Sequence, residues 1–260
     1  MTPMADTFLS DTAVLTGRSM KHVTRSPDTI ITTAVMPIAI MLLFVYVLGG
    51  AVDTGRGGGA GGYIDYVLPG ILLITVGMGI SYTAYRLFID LQGGIFDRFH
   101  SMPIARSSAL WAHVVTSVVA NFVSVALVVA VALALGFRTG AGVLAWLAVV
   151  GILFLFILAL TWVAVLAGLS AKSVDGASAV LQPLIFLPFI SSAFVPTDSM
   201  PGPVRWFAEH QPVTSIVNTI RQLFARQPVS SDIWVALAWC VGIFVVAYIA
   251  AMAVYRRRIS

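Results

Sequence analysis

Charged residues are scarce in this chain of 260 residues. Only 10% of the residues are Asp, Glu, Lys or Arg, whereas 59% are hydrophobic. A soluble domain of ordinary composition carries roughly 25% charged residues. The shortage of charge excludes an ordinary soluble protein and indicates a protein embedded in a membrane.

Motifs for catalysis and nucleotide binding are also missing. Cys240 is the single cysteine, so no disulfide or cysteine-rich metal site can form within one chain. The sequence contains no Gly-x-x-x-x-Gly-Lys-Ser/Thr loop for ATP, no His-Glu-x-x-His pair and no Gly-x-Ser-x-Gly elbow. We therefore expect a chain that is not an enzyme and that holds no catalytic residue, metal or cofactor of its own.

Ionisable residues are nearly absent from the interiors of the apolar runs. Ion-driven carriers normally use a carboxylate within the membrane, and charged-ring channels need a ring of such groups. The pattern argues against both classes. The net charge of +4 has an explanation in membrane topology, so we expect no nucleic acid as a partner.

Six stretches are long and apolar enough to cross a membrane as helices, and we expect an all-α membrane protein. The fifth stretch is the weakest because Pro183 and Pro188 interrupt it, so a count of five is the alternative. The predicted stretches are residues 30–50, 66–86, 109–136, 143–169, 178–195 and 232–255. Together they form a transmembrane domain over residues 30–255.

The basic residues predict the orientation. If the N-terminus is cytoplasmic, ten of the 15 Lys and Arg residues fall on the inner side, so the positive-inside rule favours two cytoplasmic termini. The five residues left outside are Arg56, Arg138, Arg205, Arg221 and Arg226. Residues 1–29 lack the apolar core of a signal peptide, so we expect no cleavage. They are predicted to be a cytoplasmic N-terminal segment with an interfacial helix from Met4 to Arg25, and the alternative is a frayed polar tail. The basic tail is residues 256–260.

Two segments outside the spans carry distinctive patterns. After Pro212, apolar residues recur at helical spacing, so we expect two short helices within residues 197–228 that dip into or cap the outer leaflet.

Between the second and third spans, Phe96, Phe99 and Met102 follow one another at intervals of three residues. They can form an apolar edge that docks on another protein. The alternative is a connector whose aromatic rings touch lipid headgroups.

The sequence resembles the permease subunits of type-2 ABC exporters, especially the daunorubicin/doxorubicin-resistance permease group. Three stretches carry the resemblance: "DLQGGIFDRFHSMPIARSSAL" from Asp90 to Leu110, "LPFISSAFVPTDSMP" from Leu187 to Pro201, and "HQPVTSIVNTIRQL" from His210 to Leu223. Their order and spacing agree with that group across nearly the whole chain.

The resemblance implies a six-span, type V ABC exporter-like fold with a cytoplasmic coupling helix in region 90–106 and external re-entrant helices. It implies a plasma-membrane protein that pairs with a second permease and with two copies of a separate ATPase, which binds ATP and Mg. The substrate implied is a hydrophobic or amphipathic small molecule moved outward, as in drug efflux and antibiotic resistance. The implied coupling residues are Gly94, Phe96, Asp97, Arg98, Phe99, Met102, Pro103 and Arg106.

Apolar side chains with modest polarity near the second and fifth spans suggest a substrate path of Met78, Tyr82, Phe186, Phe189 and Ser192. Trp206 and Phe207 are candidates for an external gate, and membrane lipids are the surrounding partners. A lipid or lipid-linked glycan is an alternative substrate for the same architecture. An ATP-independent membrane carrier and a non-transporting assembly factor are the rival functions.

Overall fold

A computed structural model describes residues 16–17, 31–49, 60–93 and 108–259 of the protein. Throughout these ranges the regular structure is helical and contains no strand, which agrees with the predicted all-α class. Apart from Thr16 and Gly17, the predicted interfacial helix in residues 1–29 lies outside the described residues. The same is true of the predicted coupling residues from Gly94 to Arg106.

The first membrane segment is a helix over residues 31–48 that changes its winding twice. A wide π-helical turn, Ile31–Val35, leads into α1, Met36–Leu43, and a second π-helical turn, Phe44–Leu48, follows. Pro37 directly follows the first π-helical turn, and since Val35 before it is already helical, its missing N–H removes one hydrogen bond from the continuous helix. The bounds agree closely with the predicted stretch 30–50.

Four long helices supply most of the structure: α2 (Ala60–Gln92), α3 (Ser108–Ala134), α4 (Val143–Ser170) and α9 (Asp232–Ile259). Within the described ranges, these four are the helices long and apolar enough to cross a membrane. Their positions match four of the six predicted stretches. Helix α2 is longer than predicted at both ends, because residues such as Tyr63, Leu87 and Phe88 continue its buried face.

The fifth apolar stretch is broken rather than a single helix. It consists of α5 (Val174–Ala179), α6 (Gln182–Phe186) and a 3₁₀ turn, Leu187–Ile190. Prolines stand in the first turns of the last two pieces, where they cannot continue the preceding helix. Both this stretch and the segment over residues 31–48 are therefore shorter apolar elements than the four long helices.

Two short helices follow, as predicted from the proline and apolar pattern. A 3₁₀ turn, Thr197–Ser199, precedes α7 (Gly202–His210) and α8 (Pro212–Phe224). The apolar stripe of α8 is buried in the main hydrophobic core, with Ile216, Val217 and Ile220 fully covered. Helix α8 is thus an integral part of the fold, whereas most of α7 is exposed.

Helix α2 is the centre of the bundle. Of the most apolar segment of α2, 89% is buried inside the chain, whereas only 22% of the corresponding segment of α9 is buried. We call the end that carries α7 and α8 the short-helix end, and the end where α2 stops and α3 starts the connector end. The chain runs along α2 from the short-helix end to the connector end.

Close packing joins the helices at the connector end. Trp162 of α4 is fully buried between Trp111 of α3 and Tyr248 of α9, with ring centroids 5.3 Å and 4.7 Å away. A Cβ at Gly168 of α4 would lie 2.9 Å from the carbonyl oxygen of Ala84 in α2. Because membrane helices approach one another through small residues, Gly168 sets the spacing of α2 and α4 here.

Candidate functional site

A polar cleft opens between the start of the first membrane segment, α2 and α3. It is partly open to its surroundings, and its interior of about 30 Å³ has room for one or two water molecules. Among surroundings made mostly of apolar side chains, its wall is rich in hydroxyl, amide and cationic groups. The lining residues are Thr33, Gly79, Tyr82, Thr83, Arg86, His113, Thr116, Ser117, Ala120, Asn121 and Ser124.

Helical periodicity assembles this wall. On α2 the lining positions 79, 82, 83 and 86 follow the spacing i, i+3, i+4, i+7, which places them on one face. On α3 the lining positions 113, 116, 117, 120, 121 and 124 obey the same rule. Two polar stripes therefore face one another across the interface of α2 and α3.

One hydrogen bond inside the cleft joins α2 and α3, and a second, within α3, orients Asn121. The hydroxyl groups of Thr83 and Ser117 lie 2.6 Å apart across the interface. Asn121 donates from Nδ2 to the carbonyl oxygen of Ser117 at 2.9 Å, which fixes the orientation of its amide. A Cβ at Gly79 would collide with that amide, so a glycine is needed where Asn121 crosses α2.

Charged groups collect at the connector end of the cleft. Nε2 of His113 lies 3.1 Å from a carboxylate oxygen of Asp90. The guanidinium of Arg86 lies 5.9 Å from the ring centroid of Tyr82, at the limit of a cation–π contact. The structure thus pairs this histidine, largely buried, with a carboxylate of α2.

A second polar cluster lies at the short-helix end, and we call it the Arg221 cluster. Nη2 of Arg221 donates to the carbonyl oxygens of Tyr66 at 3.1 Å, Ser192 at 2.8 Å and Ala193 at 3.4 Å. Nη1 donates to Oδ1 of Asn218 at 3.2 Å. The guanidinium also lies 3.9 Å from the ring centroid of Tyr66, well within cation–π range.

The Arg221 cluster ties three parts of the fold together. The Tyr66 hydroxyl donates to the carbonyl oxygen of Ser192 at 3.0 Å, and the Ser192 hydroxyl donates to Oδ1 of Asn218 at 2.8 Å. Tyr66 belongs to α2, Ser192 to the turn after the broken fifth stretch, and Asn218 to α8. Movement of α2 at this end is thereby linked to that turn and to α8.

The five predicted path residues do not form one site. Tyr82 lines the polar cleft, and Ser192 is buried in the Arg221 cluster. Phe186 and Phe189 are 59% and 39% exposed, with their ring centroids 6.2 Å apart. Met78 is partly buried against the main core. The structure thus distributes these residues over the cleft, the cluster and an exposed aromatic surface.

The two predicted gate residues are exposed side chains of α7. Trp206 is 65% exposed and stacks on His210 at 4.8 Å, and Phe207 is 45% exposed. Nearby, Arg205 forms ion pairs of 2.7 Å with both Asp198 and Glu209. The hydrogen bond to Glu209, together with the negative charges of Glu209 and Asp198, raises the pKa of Arg205.

The predicted coupling residues belong to the connector that joins Gln92 of α2 to Ser108 of α3. Its described neighbours are the ends of those helices, next to the Asp90 and His113 pair. The described chain therefore stops at residue 93 and resumes at residue 108 at the connector end.

Sequence reasoning missed the polar cleft. Thr83, Thr116 and Ser117 were not singled out, and Tyr82 was predicted as a path residue without the polar neighbours that line the cleft with it. The signal was present in the sequence as two polar stripes at i, i+3, i+4 spacing, one on each helix. Within the part of the chain that the structure describes, no group of three His, Cys, Asp or Glu residues could hold a metal ion.

Comparison with known proteins gives concordant matches over nearly the whole chain. The family model described as "ABC-2 type transporter" matches residues 10–225. The daunorubicin resistance ABC transporter permease protein DrrB1 of Streptomyces coeruleorubidus is 29% identical over 263 residues, covering 98% of this chain and 89% of the relative. The probable doxorubicin resistance ABC transporter permease protein DrrC of Mycobacterium tuberculosis is 28% identical over 255 residues, covering 96% and 90%.

Proposed function

Because the chain belongs to the ABC-2 type transporter family, we propose that it is the permease subunit of an exporter driven by ATP hydrolysis on a separate ATPase chain. The observation that carries this proposal is the match to drug-resistance permeases across 96–98% of the chain. The missing P-loop agrees with a subunit that relies on a partner for its energy.

The chain is a multi-pass membrane protein, and we propose six membrane segments with two cytoplasmic termini. The four long helices would span the bilayer, and residues 31–48 and the broken fifth stretch would be the shorter segments. The basic residues support this orientation. The connector end would then face the cytoplasm, and the short-helix end, with re-entrant α7 and α8, would face outward.

The proposed ATPase-coupling residues are Gly94, Phe96, Asp97, Arg98, Phe99, Met102, Pro103 and Arg106. They lie between the ends of α2 and α3, so a partner that pushed this connector would act directly on the central helix. Two ATPase copies and a second permease, either another copy or a close homologue, would complete the exporter.

A movement of α2 offers a route from the partner to the outer side. The 33 residues of α2 span about 50 Å at the rise of an α-helix, enough to cross the bilayer. At the short-helix end, the Arg221 cluster joins α2 to the turn after the fifth stretch. Closure of the ATPases would therefore rock the second segment against the fifth and open the outward path.

The proposed cargo is a hydrophobic or amphipathic molecule such as a drug or natural product. Phe186 and Phe189 would contact it from their exposed aromatic surface, with Met78, Tyr82 and Ser192 as further path residues and Trp206 and Phe207 at the outer gate. Crosslinking of a photoreactive amphipathic drug analogue to these residues would support the path. Crosslinking confined to other parts of the chain would contradict the proposed substrate path.

The coupling role is tested by replacing Phe96 and Phe99 with Ala in the complete exporter. We expect weaker association with the ATPase, or ATP hydrolysis without transport, because the apolar edge of the connector is lost. Trp206→Ala is a control that changes an aromatic residue at the opposite end and should leave ATPase association intact. Unaltered assembly and transport in the double variant would contradict the role.

The remaining alternatives make different predictions. Export of a lipid or lipid-linked glycan would require the same ATPase but would show flux of that lipid. An ATP-independent carrier would depend on an ion gradient and would have no ATPase partner. An assembly factor would have stable partners and no directional flux.

A further inference from the structure

The broken fifth stretch leaves backbone carbonyl oxygens without helical partners. Its 3₁₀ turn ends at Ile190, and Ser191 is extended, with φ −138° and ψ −179°. Residues 191–194 then form the turn after the fifth stretch, and all four are buried. A buried carbonyl oxygen outside a helix needs a donor from elsewhere in the chain. Side chains therefore have to supply the hydrogen bonds that the fifth stretch has lost.

One face of α8 supplies these donors. Gln211, directly before α8, donates from Nε2 to two carbonyl oxygens of the 3₁₀ turn. Arg221 donates to the two carbonyl oxygens of Ser192 and Ala193. Positions 211, 214, 218 and 221 follow the spacing i, i+3, i+7, i+10, which places them on one face. We call this face the polar stripe of α8, and its members are Gln211, Thr214, Asn218 and Arg221.

Ser192 is the residue that the polar stripe holds most completely. Its backbone N–H donates to Oγ1 of Thr214 at 3.4 Å, and its hydroxyl donates to Oδ1 of Asn218 at 2.8 Å. Its carbonyl oxygen accepts from Nη2 of Arg221 at 2.8 Å. The backbone and the side chain of one turn residue are thus both fixed to α8.

The other side of the turn is held mainly by close apolar packing. The ring centroid of Phe194 lies 4.4 Å from that of Phe44 in the first membrane segment. A Cβ at Gly70 of α2 would lie 2.6 Å from the Cβ of Ala193. Ala193 and Phe194 are no more than 3% exposed. The Tyr66 hydroxyl adds a hydrogen bond from α2 to the turn.

The two sides of the turn differ in what separation costs. Parting the turn from α2 and the first segment would leave voids among close-packed methyl and phenyl groups, and nothing replaces the lost contacts. Parting it from α8 breaks hydrogen bonds, which water can replace at small net cost. Asn218 and Arg221 are already partly exposed, so water can reach them. The turn should therefore separate from α8 before it separates from α2.

We propose that the polar stripe of α8 is a releasable clamp. It holds the turn after the fifth stretch closed at the short-helix end, and each transport cycle requires Asn218 and Arg221 to release it. The inference rests on the proposed exporter function. Rocking of α2 moves the turn with α2 and away from α8, while the pieces of the fifth stretch, separated at Pro183 and Pro188, absorb the movement. Asn218 and Arg221 are positioning residues, because they act on the turn.

The test uses the complete purified exporter in a Cys240→Ser background. The clamp pair is Ser192→Cys with Asn218→Cys, two positions whose side chains meet at 2.8 Å. The matched control pair is Gln222→Cys with Ser230→Cys. These side chains also form a hydrogen bond, of 3.2 Å, but they join α8 to the loop after it. A short bifunctional thiosulfonate reagent cross-links each pair, and a reductant reverses the link.

Two measurements follow from the clamp. Cross-linking the clamp pair should lower ATP hydrolysis by the exporter at least about fivefold, reversibly, because a locked permease cannot complete its conformational cycle. Trapping the ATPase with ATP and vanadate should lower the cross-linking yield of the clamp pair at least about fivefold, because the released state is then the populated one. The control pair should change neither the rate nor its own yield. A residue that only supported the fold would not make the yield depend on nucleotide.

Two results would overturn the clamp. One is unchanged ATP hydrolysis while the clamp pair is cross-linked, which would make the polar stripe a fixed brace. The other is a cross-linking yield of the clamp pair that is the same with and without trapped nucleotide. If the clamp pair loses ATP hydrolysis before cross-linking, the yield decides. An unaltered chain that is purified without an ATPase would instead overturn the proposed function, and the clamp with it.

Discussion

The Arg221 cluster makes a quantitative prediction about stability. Arg221 donates to three backbone carbonyl oxygens and to Oδ1 of Asn218. Two arginines on adjacent short helices can therefore be compared, because Arg205 of α7 has two carboxylate partners at 2.7 Å. Counting salt bridges would rank Arg205 as the more important residue.

The structure predicts the opposite ranking. Hydrogen bonds from a charged group contribute about 1.5–3 kcal/mol each where the partners are buried, and a desolvated cation–π contact adds about 1–2 kcal/mol. Arg221 is half-buried, so some of its acceptors can be rehydrated after its loss. We expect Arg221→Met to lower the free energy of unfolding by about 3 kcal/mol in total. Exposed ion pairs contribute little, so Arg205→Met should have no resolvable effect.

The assay is thermal unfolding in one detergent, followed by intrinsic fluorescence for the two variants and for Arg221→Lys. A loss of about 3 kcal/mol corresponds to a midpoint lowered by about 6 °C or more for a chain of this size. The unfolding midpoint of Arg221→Lys should lie between those of Arg221→Met and Arg205→Met. A lysine keeps the positive charge but cannot donate to several acceptors in one plane as a guanidinium does. Equal unfolding midpoints for Arg221→Met and Arg205→Met would contradict the larger contribution of Arg221.

Two further predictions concern packing and orientation. Gly168→Ala should lower the free energy of unfolding by about 1–3 kcal/mol, because the added Cβ would meet α2. Gly151→Ala in the same helix has open space around it and should be neutral or slightly stabilising. Similar unfolding midpoints for the two variants would contradict the close approach of α2 and α4 at Gly168. In whole cells of a Cys240→Ser background, a membrane-impermeant maleimide should label Ser199→Cys at the short-helix end but spare Lys172→Cys at the connector end. The reverse labelling pattern would invert the proposed topology.

The sequence carries most of the information about the helices and little about their polar contacts. Long apolar runs predicted α3, α4 and α9 closely, because an uninterrupted run of that length in a membrane has to be a helix. The fifth stretch is broken into short pieces at Pro183 and Pro188 instead of forming one helix. These two prolines are the residues that made it the weakest of the predicted spans. The apolar stripe of α8 was visible as helical spacing, but its burial in the main core was not.

The two polar clusters show why the remainder was harder to predict. The Arg221 cluster joins residues 155 positions apart in sequence, Arg221 and Tyr66, and nothing local in either segment predicts that pairing. Arg221 was therefore counted only as one of the external cations. The polar cleft could have been found from the periodicity of α2 and α3, but the facing of the two stripes depends on how those helices pack.

The most direct test of the central claim is affinity purification of the intact membrane complex under mild extraction, with mass spectrometry of its partners and an ATPase assay of the eluate. We expect a co-purifying P-loop ATPase whose rate of ATP hydrolysis changes when Phe96 or Arg98 is substituted in this chain. A chain that is purified without any nucleotide-binding partner, together with flux that follows an ion gradient, would contradict it.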